Sequence, residues 1–221
     1  MKRSDLFISL ALNLFNFTVV TICTILTFMY SASSIKMFTL QSNMMCGVVA
    51  LIIVVFEILI LLKKIDKLPV WLKTIKMVTN TGVFLTLVVV VFFLGFVAIA
   101  EGYSYFILFQ DENLFFHFLT PLIAVISFTF FEKGDDIKFK YTFFNIIHMV
   151  LYANFYVINV MLELIKDDAI KRYDWYYFFA IDNNFLSFLI IFFGVILTYG
   201  LGFIMWFINR KLYKKEILAN K

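Results

Sequence analysis

The amino-acid sequence predicts an all-α integral membrane protein with six transmembrane helices, and three observations lead to this fold class. The chain of 221 residues is 63% hydrophobic and only 15% charged, whereas a soluble domain carries about a quarter charged residues. The apolar residues form six continuous runs, each close to the roughly 20 residues that a helix needs to cross a bilayer. Only 2 Pro and 8 Gly occur in the whole chain. A soluble domain, a disordered chain and a barrel of short alternating strands are therefore excluded.

The six runs make one transmembrane domain that covers residues 1–221. Plain helices are expected, because every backbone polar group in hydrocarbon has to be satisfied within the protein. The first run is too long for a cleaved signal peptide, so we expect it to be a permanent span. The predicted spans are Leu6–Tyr30, Met37–Leu62, Met77–Ala100, Leu114–Phe131, Tyr141–Leu162 and Phe185–Ile208. Cys23 and Cys46 fall inside spans without metal-ligand spacing, so we expect them to be small packing residues.

Lys and Arg predict the orientation of these spans. With the N-terminus in the cytoplasm, 15 of the 19 Lys and Arg residues fall in cytoplasmic segments, which agrees with the positive-inside rule. The other four are Lys36, Lys166, Lys171 and Arg172. The sequence therefore predicts a multi-pass protein of the cytoplasmic membrane with both termini in the cytoplasm. Topology and anionic lipid explain the basic inner face, so no nucleic-acid partner is predicted.

Two loops have a distinctive composition. The basic loop Lys63–Lys76 contains Pro69 and Trp71 and is predicted to lie on the inner membrane surface. The longest outer segment, Glu163–Asn184, contains an aromatic cluster of Tyr173, Trp175, Tyr176 and Tyr177. Anchoring at the headgroups is one interpretation of this cluster, and a lid over an outward-facing site is the other.

Polar residues near the outer ends of the spans combine a hydroxyl with an imidazole. Thr39 and Asn43 are four residues apart at the start of the second span, so they share one helix face. His117 lies just inside the outer end of the fourth span. A hydroxyl becomes a nucleophile when an adjacent base removes its proton, and an amide can donate to the developing oxyanion. The pattern suits acyl-ester hydrolysis, while hydrogen bonding between helices is the structural alternative. Further polar residues of this layer are Gln41, Ser42 and Asp182.

Glu57 and His148 make a second, inner layer. Helical rise places both roughly 7–10 Å from the inner ends of their spans, a similar depth at which the two side chains could pair. A buried ionisable pair is a candidate proton or ion relay, and the alternatives are a structural pair or a Glu57 that turns toward Lys64. His117 and His148 are then predicted in opposite leaflets, and no metal site is expected.

Three segments resemble a known family of membrane proteins. Met37–Asn43 reads MFTLQSN, His117–Val125 reads HFLTPLIAV and Trp175–Asp182 reads WYYFFAID. In this order they are similar to segments of the predicted six-helix membrane proteins of bacteria, which are related to the eukaryotic androgen-induced and androgen-dependent hydrolases. The chain departs from the family pattern at Ser127–Phe128, where bacterial relatives often have Asp-Trp, and at Tyr177–Phe178, where a proline is missing.

The resemblance implies an intramembrane threonine hydrolase that cleaves fatty acid esters of hydroxy fatty acids. Thr39 would be the nucleophile and His117 the base, and Gln41, Ser42, Asn43 and Asp182 are candidate oxyanion or orienting residues. The expected substrate is an amphiphilic lipid ester that enters from the outer leaflet, with no metal or organic cofactor. The alternative function is a small ion- or proton-coupled transporter that uses Glu57 and His148. A structural membrane subunit is a third interpretation.

Overall fold

The computed structural model describes residues 3–134, 136–164, 176 and 184–219, and all regular structure in these ranges is helical. The first three helices are α1 (Arg3–Tyr30), α2 (Phe38–Leu61) and α3 (Val70–Ala100). They are followed by α4 (Phe115–Phe131), α5 (Ile147–Leu164) and α6 (Asn184–Ala219). Short 3₁₀ helices lie at Ala32–Lys36, at Tyr105–Phe109 and, directly before α5, at Phe139–Ile146.

Five of the described helices are long and apolar enough to cross a membrane. They are α1, α2, α3, α6 and the helix that α5 forms together with its 3₁₀ start. The remaining predicted span is a shorter apolar helix, α4, whose first and last turns are widened to π-helical geometry. An all-helical, membrane-type fold is therefore confirmed, whereas a membrane crossing by α4 stays a prediction.

The outer surface of the bundle is apolar and its interior contains polar groups. Phe92, Phe96 and Phe193 are 62%, 62% and 67% exposed, while Asn13 and Asn80 are almost completely buried. A protein surrounded by water rarely exposes apolar area on this scale, but hydrocarbon provides the phenyl rings with apolar surroundings. This distribution of side chains is that of a membrane-embedded protein.

α3 is the central helix of the bundle. It contacts α2, α4, α6 and the 3₁₀ segment that precedes α5. It runs antiparallel to α2, since Ser42 lies 3.4 Å from the Thr86 hydroxyl and Cys46 lies 3.4 Å from the Asn80 oxygen. We call the end of the bundle at which α2 begins the Phe38 end, and the end at which α2 finishes the Leu61 end. The charge pattern predicts that these are the outer and inner ends, respectively.

The basic loop is shorter than predicted. α3 begins at Val70, and its Lys73 and Lys76 are only 8% and 2% exposed, so the prediction that they lie on the membrane surface is wrong. Hydropathy treats lysine as a loop residue, but Lys76 pairs with Glu132. This pairing offsets part of the cost of burying the two charges.

Candidate functional site

Asn43 joins the start of α2 to α4. Its side-chain amide donates to the Thr39 carbonyl oxygen at 2.8 Å and to the Phe116 carbonyl oxygen at 3.0 Å. Its own oxygen accepts from the Thr120 hydroxyl at 2.6 Å. Asn43 and Thr120 are 0% and 1% exposed, so water does not compete for these bonds. The backbone at Thr39 and the backbone next to His117 therefore meet at a single amide.

The main chain holds His117 in one tautomer. Its Nδ1 lies 2.7 Å from the carbonyl oxygen of Leu108, within the 3₁₀ helix Tyr105–Phe109. A carbonyl oxygen only accepts, so Nδ1 carries the hydrogen and Nε2 of the neutral ring keeps its lone pair. The half-buried imidazole thus presents a proton acceptor whose orientation is fixed by the backbone.

Thr39 and the neighbouring candidate residues differ in how far they are already bonded. Among the described residues, no hydrogen bond joins the side chains of Thr39 and His117, and Thr39 is half-buried. Ser42 donates to the Thr39 carbonyl at 3.1 Å, and Asn43 uses both amide hydrogens on carbonyls. Gln41 donates to the Ile35 carbonyl at 2.8 Å, and two residues along the helix it does not share the face of Thr39. Asn43 thus fits an orienting role, and an oxyanion role for Gln41 stays a prediction.

His148 lies at the Phe38 end, away from Glu57. Its ring stacks on Phe38 with the ring centroids 4.9 Å apart. The predicted Glu57–His148 pair is wrong, because Glu57 contacts Ser9 while His148 lies against Phe38, 19 residues before Glu57 on α2. The 3₁₀ segment before α5 rises about 0.5 Å more per residue than an α-helix, and its eight residues account for only about 4 Å of this difference. The predicted separation of the two histidines into opposite halves is also wrong, because His148 lies beside Phe38 at the end of the bundle that contains His117.

Gly82 allows His148 to approach α3 closely. A Cβ atom on Gly82 would lie 2.5 Å from His148 Nδ1 and 3.4 Å from the Cβ atom of Ser42. The imidazole and the Ser42 side chain are therefore both close to the same point on α3. Neither nitrogen of His148 has a hydrogen-bond partner among the described residues. A second imidazole thus belongs to the Phe38 end, where the spacing of the sequence did not predict one.

Glu57 belongs to a buried polar network at the Leu61 end. Ser9 Oγ lies 2.5 Å from Glu57 Oε1 and 3.0 Å from Glu132 Oε1. Lys76 forms an ion pair with the same Glu132 oxygen and donates to Asn13 Oδ1 at 2.6 Å. We call this group the Glu57 network, and its members are Ser9, Asn13, Glu57, Lys76, Ser127 and Glu132.

The first span contains a sequence signal for this network. Ser9, Asn13 and Asn16 recur at spacings of four and three residues, which places them on one helix face, and all three are at most 2% exposed. A polar face on an apolar span indicates buried polar partners. Hydropathy alone assigns Lys76 and Glu132 to loops, so it does not identify them as those partners.

An apolar cavity of about 770 Å³ lies at the Phe38 end between α1 and the start of α4. Its volume falls within the roughly 300–1,000 Å³ that is typical of small-molecule sites. Neither Thr39 nor His117 is among the described residues that line it, and Leu40 and Phe116 pack beside it against Cys23. The lining residues are Val19, Ile22, Cys23, Leu26, Tyr30, Asp111, Glu112 and Phe115.

Tyr176 is the described residue of the predicted aromatic cluster, and it lies at the start of α2. Its hydroxyl accepts from the Phe38 backbone N–H at 3.0 Å, and its ring packs against Tyr152 and Tyr156. Burial raises the pKa of the Tyr176 phenol, which keeps the hydroxyl neutral at ordinary pH. The loop residues Tyr173, Trp175 and Tyr177 and the candidate orienting residue Asp182 lie outside the described residues.

Comparisons with known proteins give no match. The chain matches no protein-family model, no curated protein and no solved structure. Among the described residues, no group of three or more His, Cys, Asp or Glu side chains is arranged to hold a metal ion. The geometry of the two polar layers is therefore the basis on which a function is inferred.

Proposed function

We propose that this protein is an intramembrane hydrolase of lipid acyl esters, with Thr39 as nucleophile and His117 as general base. The hydrogen bond between His117 Nδ1 and the Leu108 carbonyl carries the proposal. It orients the ring and leaves Nε2 free to accept a proton, which is the role of the base in hydroxyl-dependent hydrolases. Asn43 supports the proposal by holding the first turn of α2 against α4.

The proposed reaction has two halves. The Thr39 hydroxyl oxygen attacks the ester carbonyl while its proton passes to His117 Nε2, and the imidazolium then protonates the departing alkoxide. Water next attacks the acyl-threonine with His117 again as the base, which releases the carboxylic acid and restores the hydroxyl. This reaction requires a hydrogen bond between the Thr39 hydroxyl and His117 Nε2. The hydrogen bond forms when substrate is bound, since catalytic hydrogen bonds are often long or misaligned in unliganded enzymes.

An amphiphilic ester suits the surroundings of these residues. The cavity beside α4 offers apolar walls for an acyl chain, and Asp111 and Glu112 provide a polar rim at the same end of the bundle. Phe115 lines this cavity and is two residues from His117. The proposed substrate therefore places its acyl chain among the helices and its ester near the membrane surface.

We also propose that six helices cross the membrane, that both termini are cytoplasmic and that the Phe38 end faces outward in the cell membrane. The bias of 15 of the 19 Lys and Arg residues toward one side supports this orientation. For α4, 17 residues span about 25 Å as an α-helix, close to the lower limit for crossing.

The proposal is tested with a fluorophosphonate probe and with turnover of a long-chain hydroxy fatty acid ester by the purified protein. We expect labelling and turnover to fall to background in Thr39→Ala and in His117→Ala, because these variants lack the nucleophile and the base. Thr39→Ser keeps a hydroxyl and is expected to retain labelling. Mass spectrometry of the labelled protein should place the probe on Thr39.

Thr18→Ala is the matched control. Thr18 is exposed on α1 and donates to the Leu14 carbonyl of its own helix at 2.8 Å, so its loss should leave labelling and turnover unchanged. Activity in Thr39→Ala that equals that of Thr18→Ala would exclude Thr39 as the nucleophile.

A further inference from the structure

The Glu57 network concentrates charge inside the bundle. Its six members come from α1, α2, α3 and α4 with the residue that follows α4, and each is at most 2% exposed. Two of them are carboxyl groups and only one, Lys76, is a cation. If both carboxyl groups were ionised, one negative charge would remain inside the bundle without a cation to compensate it, which is strongly unfavourable.

Neighbouring charges do not supply the missing cation, because they pair with one another. Lys73 lies 3.1 Å from Asp136, and Lys133 lies 3.1 Å from Asp5 and 2.6 Å from Glu216. Asp66 and Lys67 are exposed in the loop between α2 and α3 at the edge of the network, and the Arg210 guanidinium of α6 lies over the Trp206 ring. These charged groups come from α1, the α2–α3 loop, α3, the segment after α4, and α6.

Hydrogen-bond geometry distinguishes the two carboxyl groups. Glu132 Oε1 accepts from Ser127 at 2.6 Å and from Asn13 at 3.1 Å and is paired with Lys76. Glu57 Oε1 contacts only Ser9, whereas the Oε2 atoms of Glu57 and Glu132 alike have no partner among the described residues. Glu132 is therefore the ionised member of the two, since the cation and the donors converge on it.

Ser9 has one hydroxyl hydrogen but faces two carboxyl oxygens, at 2.5 Å and 3.0 Å. Both contacts are hydrogen bonds only if one carboxyl group supplies a hydrogen of its own. A protonated Glu57 donates to Ser9 Oγ, and the Ser9 hydroxyl then donates to Glu132. This arrangement also balances the charge of Lys76 against a single carboxylate.

We propose that Glu57 is a proton-binding site that exchanges its proton with Glu132 through Ser9. Glu132 lines a charged cavity of about 160 Å³ at the Leu61 end, together with Lys73, Lys133 and Asp136. When Glu57 has lost its proton, a hydronium ion in this cavity breaks one O–H bond, transfers that proton to the Glu132 carboxylate and is left as water. Glu132 then donates to Ser9 Oγ while the Ser9 hydrogen passes to the Glu57 carboxylate, so that one proton moves inward and Ser9 stays neutral.

Infrared spectra of the full-length protein in lipid bilayers test the site. At neutral pH we expect the carbonyl band of a protonated carboxylic acid, shifted in heavy water, and its loss in Glu57→Gln. The control is Glu101→Gln, which removes an exposed carboxyl group and should keep the band. A band that survives in Glu57→Gln would overturn the proposal. Loss of the band at constant pH on addition of sodium chloride, but not of choline chloride, would also overturn the proposal. In that case Glu57 would bind a metal cation.

Two further variants separate the proton from a structural role. In Ser9→Ala we expect the band to remain while its exchange into heavy water slows, and unchanged exchange would overturn the relay through Ser9. Glu57→Gln resembles a neutral acid and should keep the melting temperature, whereas Glu132→Gln should lower it by leaving Lys76 unpaired. Equal losses in the two variants would mean that Glu57 is charged. None of these readouts depends on ester turnover, so the hydrolase proposal stands or fails separately.

Discussion

At the scale of single residues, one amide determines how the Phe38 end is assembled. Asn43 satisfies the Thr39 and Phe116 carbonyls and accepts from Thr120, so three groups on two helices depend on it. Carbonyl groups inside a helix are normally bonded within that helix, and the widened first turn of α4 is where this ladder is irregular. Asn43 thus compensates on α2 for a local irregularity on α4.

Asn43→Ala should lower the stability of the protein by about 1 to 3 kcal/mol, because buried groups lose their partners. Thermal unfolding in detergent, followed with a thiol-reactive fluorophore, measures the change. Cys23 and Cys46 make this readout available because they are free and only 4% and 2% exposed. The matched control is Asn154→Ala, since the exposed Asn154 amide donates within its own helix at 2.7 Å. Equal shifts in both variants would contradict the proposed role of Asn43.

At the scale of helices, the positions of the first two spans were predictable, whereas α3 begins seven residues before the predicted span at Val70 and α6 continues eleven residues beyond it to Ala219. The contacts between helices were not predictable. α1 and α2 begin and end within a few residues of the predicted spans, because apolar runs of this length have no other stable arrangement in a bilayer. The expected burial of Cys23 and Cys46 is confirmed. The depth of His148 was not predictable, because residue counts from the predicted end of a span do not determine how neighbouring helices are staggered, and the 3₁₀ start of this helix adds only about 4 Å.

Contacts between charged residues could not be predicted either. Lysine and glutamate are counted as loop residues when each is considered alone, and only their pairing makes burial of Lys76 and Glu132 tolerable. The outer candidates, Thr39 and His117, came from residue type and family resemblance. The hydrogen bond that orients His117 could not be predicted, because its acceptor is a backbone carbonyl and leaves no trace in the sequence.

The approach of the α5 helix to α3 leads to a prediction about Gly82. In Gly82→Ala the added methyl group would lie 2.5 Å from His148 Nδ1, so we expect a lower melting temperature in the same thiol assay. Gly200→Ala is the control, because nothing lies within 4 Å of a Cβ atom there and alanine is the better helix former by about 1 kcal/mol. The double variant Gly82→Ala/His148→Ala should recover part of the loss. If Gly82→Ala is as stable as Gly200→Ala, the close approach of His148 is not present.

At the scale of the whole molecule, two different sets of polar groups lie at opposite ends of the bundle. The Phe38 end contains hydroxyl, amide and imidazole groups next to an apolar cavity. The Leu61 end contains the Glu57 network and a charged cavity. The proposed ester hydrolysis and the proposed proton binding therefore occupy opposite ends, and their sidedness follows from the orientation of the chain.

The orientation is tested with single cysteines placed at four exposed positions and labelled with a membrane-impermeant maleimide. We expect Ser33→Cys and Gln110→Cys to react in intact cells, and Lys64→Cys and Lys138→Cys to react only after permeabilisation, because the charge bias places the Phe38 end outside. The buried Cys23 and Cys46 provide the background signal. Gln110 and Lys138 flank α4, so reaction of both from the same side would show that α4 does not cross the membrane. The opposite result, with the Lys64 and Lys138 variants reacting in intact cells and the other two only after permeabilisation, would place Thr39 and His117 at the cytoplasmic face. The proposal that the ester enters from the outer leaflet would then be wrong.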